Sequence, residues 1–431
     1  MLGRWAVQGT RSSRACTGRA FHCTPPTHDR IAVGISGGVD SAVAALLLQR
    51  AGHDVQGLFM RNWDEGEETG NRNCSVEADA AAAARVCRHL GVPLAEVDFV
   101  SEYWTRVFEG FLAQAGRGLT PNPDLACNRH IKFDLLAERA AALGCGALAT
   151  GHYARLEPGD PPRLLCARDA ARDQTYFLAS VRPQALAYAR FPLGGLTKPE
   201  VRALAAGAGL AEAAGRRSSA GICFVGRRRF GAFLEQYLAP LPGRYRDVDS
   251  GADLGPAANL LALTLGQRAS VGGGPQRAYV AGKDVRARVA HVASGPDHPA
   301  LRCRAALLRA PHWLDGGAAA AALAGGGELR CLYKARYGQE PLPCTLRALG
   351  RGGFRTSALC TLLEEDERIG PGFLVAHFDE PARAITPQQA FVMYDGERCL
   401  GSALIAKPGP SLAEEARGGC LDGARLAAAD A

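Results

Sequence analysis

The chain has 431 residues, 47% of them apolar, a formal net charge of +7 and 14 cysteines. This length and apolar content predict two or three domains with full-sized cores, and no apolar run is long enough for a membrane span, so a soluble protein is expected. The positive charge argues only weakly for nucleic acid, because Arg4, Arg11, Arg14, Arg19 and Arg30 stand against the single acid Asp29 in the first thirty residues; only a local patch can make that case. The same arginine-rich segment holds Ser and Thr and lacks an apolar core, which is the composition of a mitochondrial transit peptide over residues 1–29. The closest cysteine pair is Cys16 and Cys23, so no Cys-x-x-Cys motif exists. Zinc-ribbon and thioredoxin motifs are thereby absent, and most cysteines are expected to be small buried hydrophobes.

In chain order, Ile31 to Ile35 reads as a buried strand and Ala42 to Gln49 as a helix. Between them lies Ser36-Gly37-Gly38-Val39-Asp40-Ser41. Two glycines allow a close backbone approach, a helix N-terminus points at the same spot, and two hydroxyls add donors: an anion site for phosphate or pyrophosphate. The loop has neither the lysine of a Walker motif nor the Rossmann glycine spacing. A purely structural turn would account for the glycines but not for both serines and Asp40. A strand over Val55–Met60, a helix over 75–89 and a strand over 94–100 follow, so the fold class is α/β with a parallel, doubly wound sheet, whose ligands bind at the carboxyl ends of strands. Thr120-Pro121-Asn122-Pro123-Asp124-Leu125-Ala126-Cys127 reads as a rigid loop with a helix resuming at Asn128. That puts Cys127 at a helix start, where the dipole favours thiolate, with Asp124 just before it as an N-cap or something more. Ala147 to Tyr153 is a short strand ending in a turn that holds Gly151 and His152. Arg172-Asp173-Gln174 enters an apolar helix. Arg216, Arg217, Arg227, Arg228 and Arg229 surround Cys223 in a small-residue segment, a basic patch that could acidify the thiol or meet phosphates. From about residue 240 short strands and turns replace helical periodicity, with Asp395-Gly396 a hairpin signal, which predicts a β-barrel or sandwich. Residues 316–327 read as a low-complexity loop, and the tail from 408 as disordered.

These motifs, in this order, resemble the tRNA-specific 2-thiouridylases, in their mitochondrial form, within the ATP pyrophosphatases that carry a PP-loop. The likeness rests on Ser36–Ser41, Gly57–Trp63, Thr120–Phe133, Ala149–Tyr153, Asp173–Phe177, Gly221–Gly226 and Thr264–Arg268. It implies an adenine nucleotide alpha hydrolase-like domain over 30–225, a central tRNA-binding domain over 226–290, a C-terminal β-barrel over 291–407 and a tail over 408–431. It also implies a monomer in the mitochondrial matrix. The implied cosubstrate is ATP with Mg2+, held by Gly34, Ile35, Ser36, Gly37, Gly38, Val39, Asp40, Ser41, Met60 and Gly151, with no protein-held metal. The implied chemistry is adenylation of the wobble uridine at carbon two. Cys223, loaded with a persulfide by a cysteine desulfurase or a persulfide relay, then attacks that carbon; Cys127 resolves it through a Cys127–Cys223 disulfide, and Asp124 is the acid/base. Asn122, Pro123, Asp124, Arg172, Asp173, Gln174, Arg336 and Tyr337 match tRNA-contacting positions.

Two stretches depart from the family pattern. Arg217-Ser218-Ser219-Ala220-Gly221 lacks the usual acid before the second cysteine, and Pro256–Leu260 replaces a His-Gly segment. Loop closure and RNA docking are the steps these changes touch. Two other readings stay open: another PP-loop amidotransferase or ligase, which would need no cysteine pair, and a catalytically silent tRNA-binding protein.

Overall fold

The computed structural model describes residues 29–63, 75–216, 224–226, 228–272, 276–350, 353–361 and 372–418. Residues 1–28, where a transit peptide is expected, Cys223 with its neighbours 217–222, and Arg227 lie outside the described residues.

Strand β1 (Arg30–Gly34) buries its three central side chains, as a strand covered on both faces must. It is central in a five-stranded parallel sheet of order β3 (Leu94–Asp98), β2 (Asp54–Arg61), β1, β4 (Ala147–Ala149), β7 (Ala189–Arg190). The two-residue side-chain period divides the sheet between two cores. Ala32, Leu58 and Leu148 enter one; Ile31, Val33, Phe59, Ala147 and Ala149 enter the other, under helices α1 (Val39–Arg50) and α2 (Ser75–Leu90). The doubly wound α/β reading therefore holds. β1 lies between β2 and β4 in register Val33 with Gly57 and Val33 with Ala149. The strand order reverses here, so a crevice opens at the carboxyl ends of β1 and β4.

A second, smaller sheet runs β10 (Ala278–Asp284), β11 (Val289–Ser294), β8 (Gly243–Asp247), β9 (Asp253–Ala257) around its own core of Tyr245, Leu260, Val280 and Val292. The expected boundary at 290 falls inside β11, so the central domain extends to Ser294. The barrel follows as six antiparallel strands: β12 (Arg302–Trp313), β15 (Leu374–Arg383), β14 (Leu342–Ala348), β13 (Glu328–Lys334), β16 (Ala390–Asp395) and β17 (Arg398–Pro408), closed by β12 against β17. Closure removes both sheet edges. The hairpin of β5 (Arg155–Glu157) and β6 (Arg163–Leu165), from the first domain, attaches to β17.

Two expectations about irregular segments are corrected. Residues 318–323 of the alanine-rich stretch form a helix, because alanine has the highest helix propensity and Asp315 accepts from the amides of Gly317 and Ala319 at 3.0 and 2.7 Å. The tail is ordered at Leu412–Ala416, a short helix capped reciprocally by Ser411 and Glu414 and tied down by Ser357 onto Glu414.

Candidate active site

The anion loop forms directly after β1. Gly37 turns the chain at φ +74°, a conformation only glycine adopts freely. A Cβ there would meet Ala82 Cβ at 2.7 Å and the Ala83 amide at 2.9 Å. Ser41 ties the turn together: its Oγ accepts from the Ser36 amide at 3.1 Å, lies 3.3 Å from Ser36 Oγ and donates to Gly38 O at 3.1 Å. Gly38 is the N-cap of α1 and carries no side-chain capping bond, so the first-turn amides remain directed at the crevice. These amides, the dipole and the two hydroxyls are the donor set a pyrophosphate requires.

Gly151, after β4, is the other wall. A Cβ on it would sit 2.7 Å from the Ser41 amide and 2.8 Å from the Asp40 carbonyl carbon, so backbone meets backbone there. Met60, next to last in β2, is half-buried. Asp40 is held by partners that sequence reading missed. Tyr153 Oη donates to Oδ1 at 2.8 Å, and Lys198 Nζ donates to both carboxylate oxygens at 2.7 Å. Burial first, and Asp40 second, push the Tyr153 phenol far above its usual value, so it remains a donor.

The cysteine helix differs from expectation. It begins five residues earlier, at Pro123, with Asn122 as N-cap accepting from the Asp124 amide at 3.2 Å. Proline at the first helical position is preorganised and needs no amide. Asp124 is therefore in the first turn and is not the N-cap. Cys127 sits one turn in, buried, where the helix widens into π geometry over Cys127–Leu135. Burial raises the Asp124 carboxyl above its ordinary range, with Lys132 pulling it down. His152 is buried, and burial, then Lys132, hold its imidazole well below its usual range and keep it neutral; its Nδ1 lies 2.7 Å from Thr150 Oγ1. His152 packs on Phe133 at 5.8 Å between ring centroids, and Leu136 lies 3.6 Å from a Cβ position on Gly34. The later turns of the helix that carries Asp124 and Cys127 thus pack on His152 and on the last residue of β1, just before the anion loop.

Its other side faces the barrel. Asn128 Nδ2 donates to Phe177 O at 3.2 Å, and Phe177 meets Tyr337 at 4.5 Å between centroids. Thr120 is bonded from Gln389 at 2.8 Å, and Tyr176 Oη donates to Ala390 O at 3.1 Å. Arg336, Tyr337 and Arg172 are exposed around this seam. Asp173 is not: its carboxylate is buried and accepts from Thr175 Oγ1 at 2.7 Å, the Ala167 amide at 3.1 Å and Lys334 Nζ at 3.2 Å. Gln174 accepts from the Tyr153 amide at 2.9 Å. Of the Arg172–Gln174 run, Asp173 is thus used inside the protein and Gln174 uses its carbonyl oxygen there, while Arg172 is exposed. Of the arginine patch, Arg217 and Arg227 lie outside the described residues, Arg229 is exposed, and Arg216 and Arg228 are engaged within the protein. Arg216 reaches Asp79 at 2.6 Å and Gly37 O at 3.5 Å, and Arg228 turns back onto Val225 O at 3.2 Å and Gln236 at 3.1 Å.

This arrangement of loop, cysteine helix and barrel has relatives. Residues 29–227 match the model described as tRNA methyl transferase HUP domain, and residues 367–405 the aminomethyltransferase beta-barrel domain. Proteins named tRNA-specific 2-thiouridylase MnmA from Shigella boydii and from Escherichia coli K12 are each 42% identical over 387 residues, 88% of this chain and 97% of theirs. The chain belongs to the tRNA-specific 2-thiouridylase family. The described residues include the anion loop Ser36–Ser41, the helix that carries Asp124 and Cys127, and the seam this helix makes with the barrel through Asn128 and Phe177. No group of three or more His, Cys, Asp or Glu among the described residues could hold a metal ion.

Proposed function

We propose that this chain makes 2-thiouridine in tRNA, adenylating the wobble uridine with ATP and then delivering sulfur from a cysteine persulfide. One observation carries the reading. The helix that carries Asp124 and Cys127 packs on one side, through Phe133 and Leu136, on His152 and on Gly34 at the end of β1, just before the anion loop, and on the other, through Asn128 and Phe177, on the seam at Tyr337, where Arg172 and Arg336 are exposed. A base flipped out of RNA at that seam would meet a buried acid, a thiol and a phosphate site together.

ATP supplies the leaving group: uridine O2 takes AMP and pyrophosphate departs. The α1 amides, Ser36 and Ser41 neutralise the departing pyrophosphate. Mg2+ fits as a companion of the triphosphate, with Asp40 the carboxylate at the loop to meet it. Asp124, its proton held more tightly by burial, moves a proton at the uridine. Neutral His152 shapes the apolar wall and offers no competing charge. In the sulfur step the terminal persulfide sulfur on Cys223 attacks carbon two. Cys127 then attacks the inner sulfur; AMP leaves and a Cys127–Cys223 disulfide remains, which two electrons from an external thiol must reduce before the next turnover. The sulfur donor in this reading is a cysteine desulfurase or persulfide relay. The reading extends to a monomer in the mitochondrial matrix, supported for the compartment by the composition of residues 1–29; import of that segment fused to a reporter checks it.

Pyrophosphate release measured with and without tRNA is the test. Release that requires tRNA and matches 2-thiouridine formed when persulfide is supplied is expected. Release indifferent to tRNA would return the chain to the amidotransferase or ligase class; no release with tRNA bound would leave a silent RNA-binding protein.

A further inference from the structure

The loop Ser36–Ser41 contains no lysine, yet a lysine stands at it. Lys198 lies 158 residues along the chain and places Nζ 2.7 Å from each carboxylate oxygen of Asp40, in the first turn of α1. Its side chain is only 8% exposed. Lys198 is the first residue of the helix Lys198–Gly207, and the N-cap of that helix is already served by a Thr197–Glu200 capping box. A cation at a helix N-terminus opposes the dipole, and burying an ammonium costs free energy unless it is paired. Local helix stability therefore does not account for this lysine. The chain nevertheless fixes it: the Lys198 amide donates to Asp169 Oδ2 at 2.8 Å, and Nζ lies 5.7 Å from the centroid of the Tyr153 ring, whose hydroxyl holds the same Asp40. The donors of the loop itself are neutral amides and hydroxyls, whereas a triphosphate brings several negative charges.

We propose that Lys198 is the cation that binds the triphosphate at this loop, and that its pairing with Asp40 is the resting arrangement. The proposal rests on the ATP reading given above. With no nucleotide, Asp40 keeps the ammonium paired and aimed, so no buried charge is left alone. Phosphate oxygens then take over the ammonium, and Asp40 is released to the divalent cation that accompanies them. Tyr153 acts as a positioning residue that keeps Asp40 in place through the exchange.

Equilibrium binding to the purified full-length chain tests this with three probes: a non-hydrolysable ATP analogue with Mg2+, the same analogue without divalent cation, and adenosine. Lys198→Met should weaken the analogue by about 10- to 100-fold, the loss of one charge-assisted bond, and leave adenosine within about twofold; Lys198→Arg should recover most of the loss. Asp40→Asn frees the ammonium and keeps the site without an unpaired carboxylate, so without divalent cation it should bind the analogue at least as tightly as the wild type does. Equal weakening of analogue and adenosine in Lys198→Met would mean a structural ion pair and overturn the proposal, as would unchanged analogue binding. If Lys198→Met does not fold, weaker binding to Asp40→Asn without divalent cation overturns it alone. Wild-type protein that binds adenosine but gains nothing from the triphosphate would sink the ATP reading itself, a distinct result.

Discussion

Replacing Asp173 by alanine separates a structural role from an RNA-binding one. The carboxylate has 2% exposure and faces Lys334, whose side chain has 10%, at 3.2 Å, with Thr175 and Ala167 filling its remaining acceptor sites. Removing it strands a lysine ammonium between the first domain and the barrel, which costs about 3–5 kcal/mol, a large part of the roughly 5–15 kcal/mol by which domains are stable. With a urea dependence of about 2–3 kcal/mol per molar, the unfolding midpoint should fall by about 1–2.5 M. The assay is urea unfolding followed by circular dichroism, with Arg172→Ala as the comparison expected to leave the midpoint unmoved. Removing both charges in Asp173→Asn with Lys334→Met should restore more than half of the loss, since the buried imbalance is gone. A midpoint unchanged in Asp173→Ala together with a tenfold or larger loss of tRNA affinity would refute the argument and return Asp173 to the RNA surface.

Three other outcomes follow from the geometry. Gly151→Ala drives a methyl into the Ser41 amide and should cost about 1–3 kcal/mol and suppress pyrophosphate release; normal release would mean the two backbones need not touch. Asp124 is held protonated to higher pH in the folded chain by burial, so it subtracts stability as pH rises from the ordinary carboxylate value through the raised one. Asp124→Asn should remove that slope and reduce product formation by roughly 100-fold or more; full activity in this variant would end its acid/base role. Arg172→Ala and Arg336→Ala should each lower the log–log salt slope of tRNA binding by about 0.7–0.9, the effect of one lost phosphate contact, whereas Arg228→Ala should leave it unchanged because its guanidinium is turned onto its own chain.

The strand, glycine turn and helix around Ser36–Ser41 were legible because period and turn chemistry agree over twenty consecutive residues. So was the barrel hairpin at Asp395-Gly396, between β16 and β17. The start of the cysteine helix was missed although its signal was present: Asn122 followed by Pro123 is a cap and a first helical residue, and the neighbouring Pro121 made the whole stretch look like loop. Residues 318–323 looked featureless because alanine marks a helix by propensity and not by pattern. The burial of Asp173 and the arrival of Lys198 at Asp40 were not legible. Each depends on a partner 158 or more residues away, and only the tertiary fold decides whether a polar residue meets water or an opposite charge. An oddity did mark Lys198, a lysine opening a helix where the dipole disfavours it.

The most direct test of the central claim is mass spectrometry of the wobble nucleoside from tRNA incubated with the full-length chain, ATP and a persulfide donor. The wild type should form 2-thiouridine, with none when ATP is omitted and none with Cys127→Ser. Unmodified uridine under saturating donor, or normal 2-thiouridine from Cys127→Ser, would contradict it.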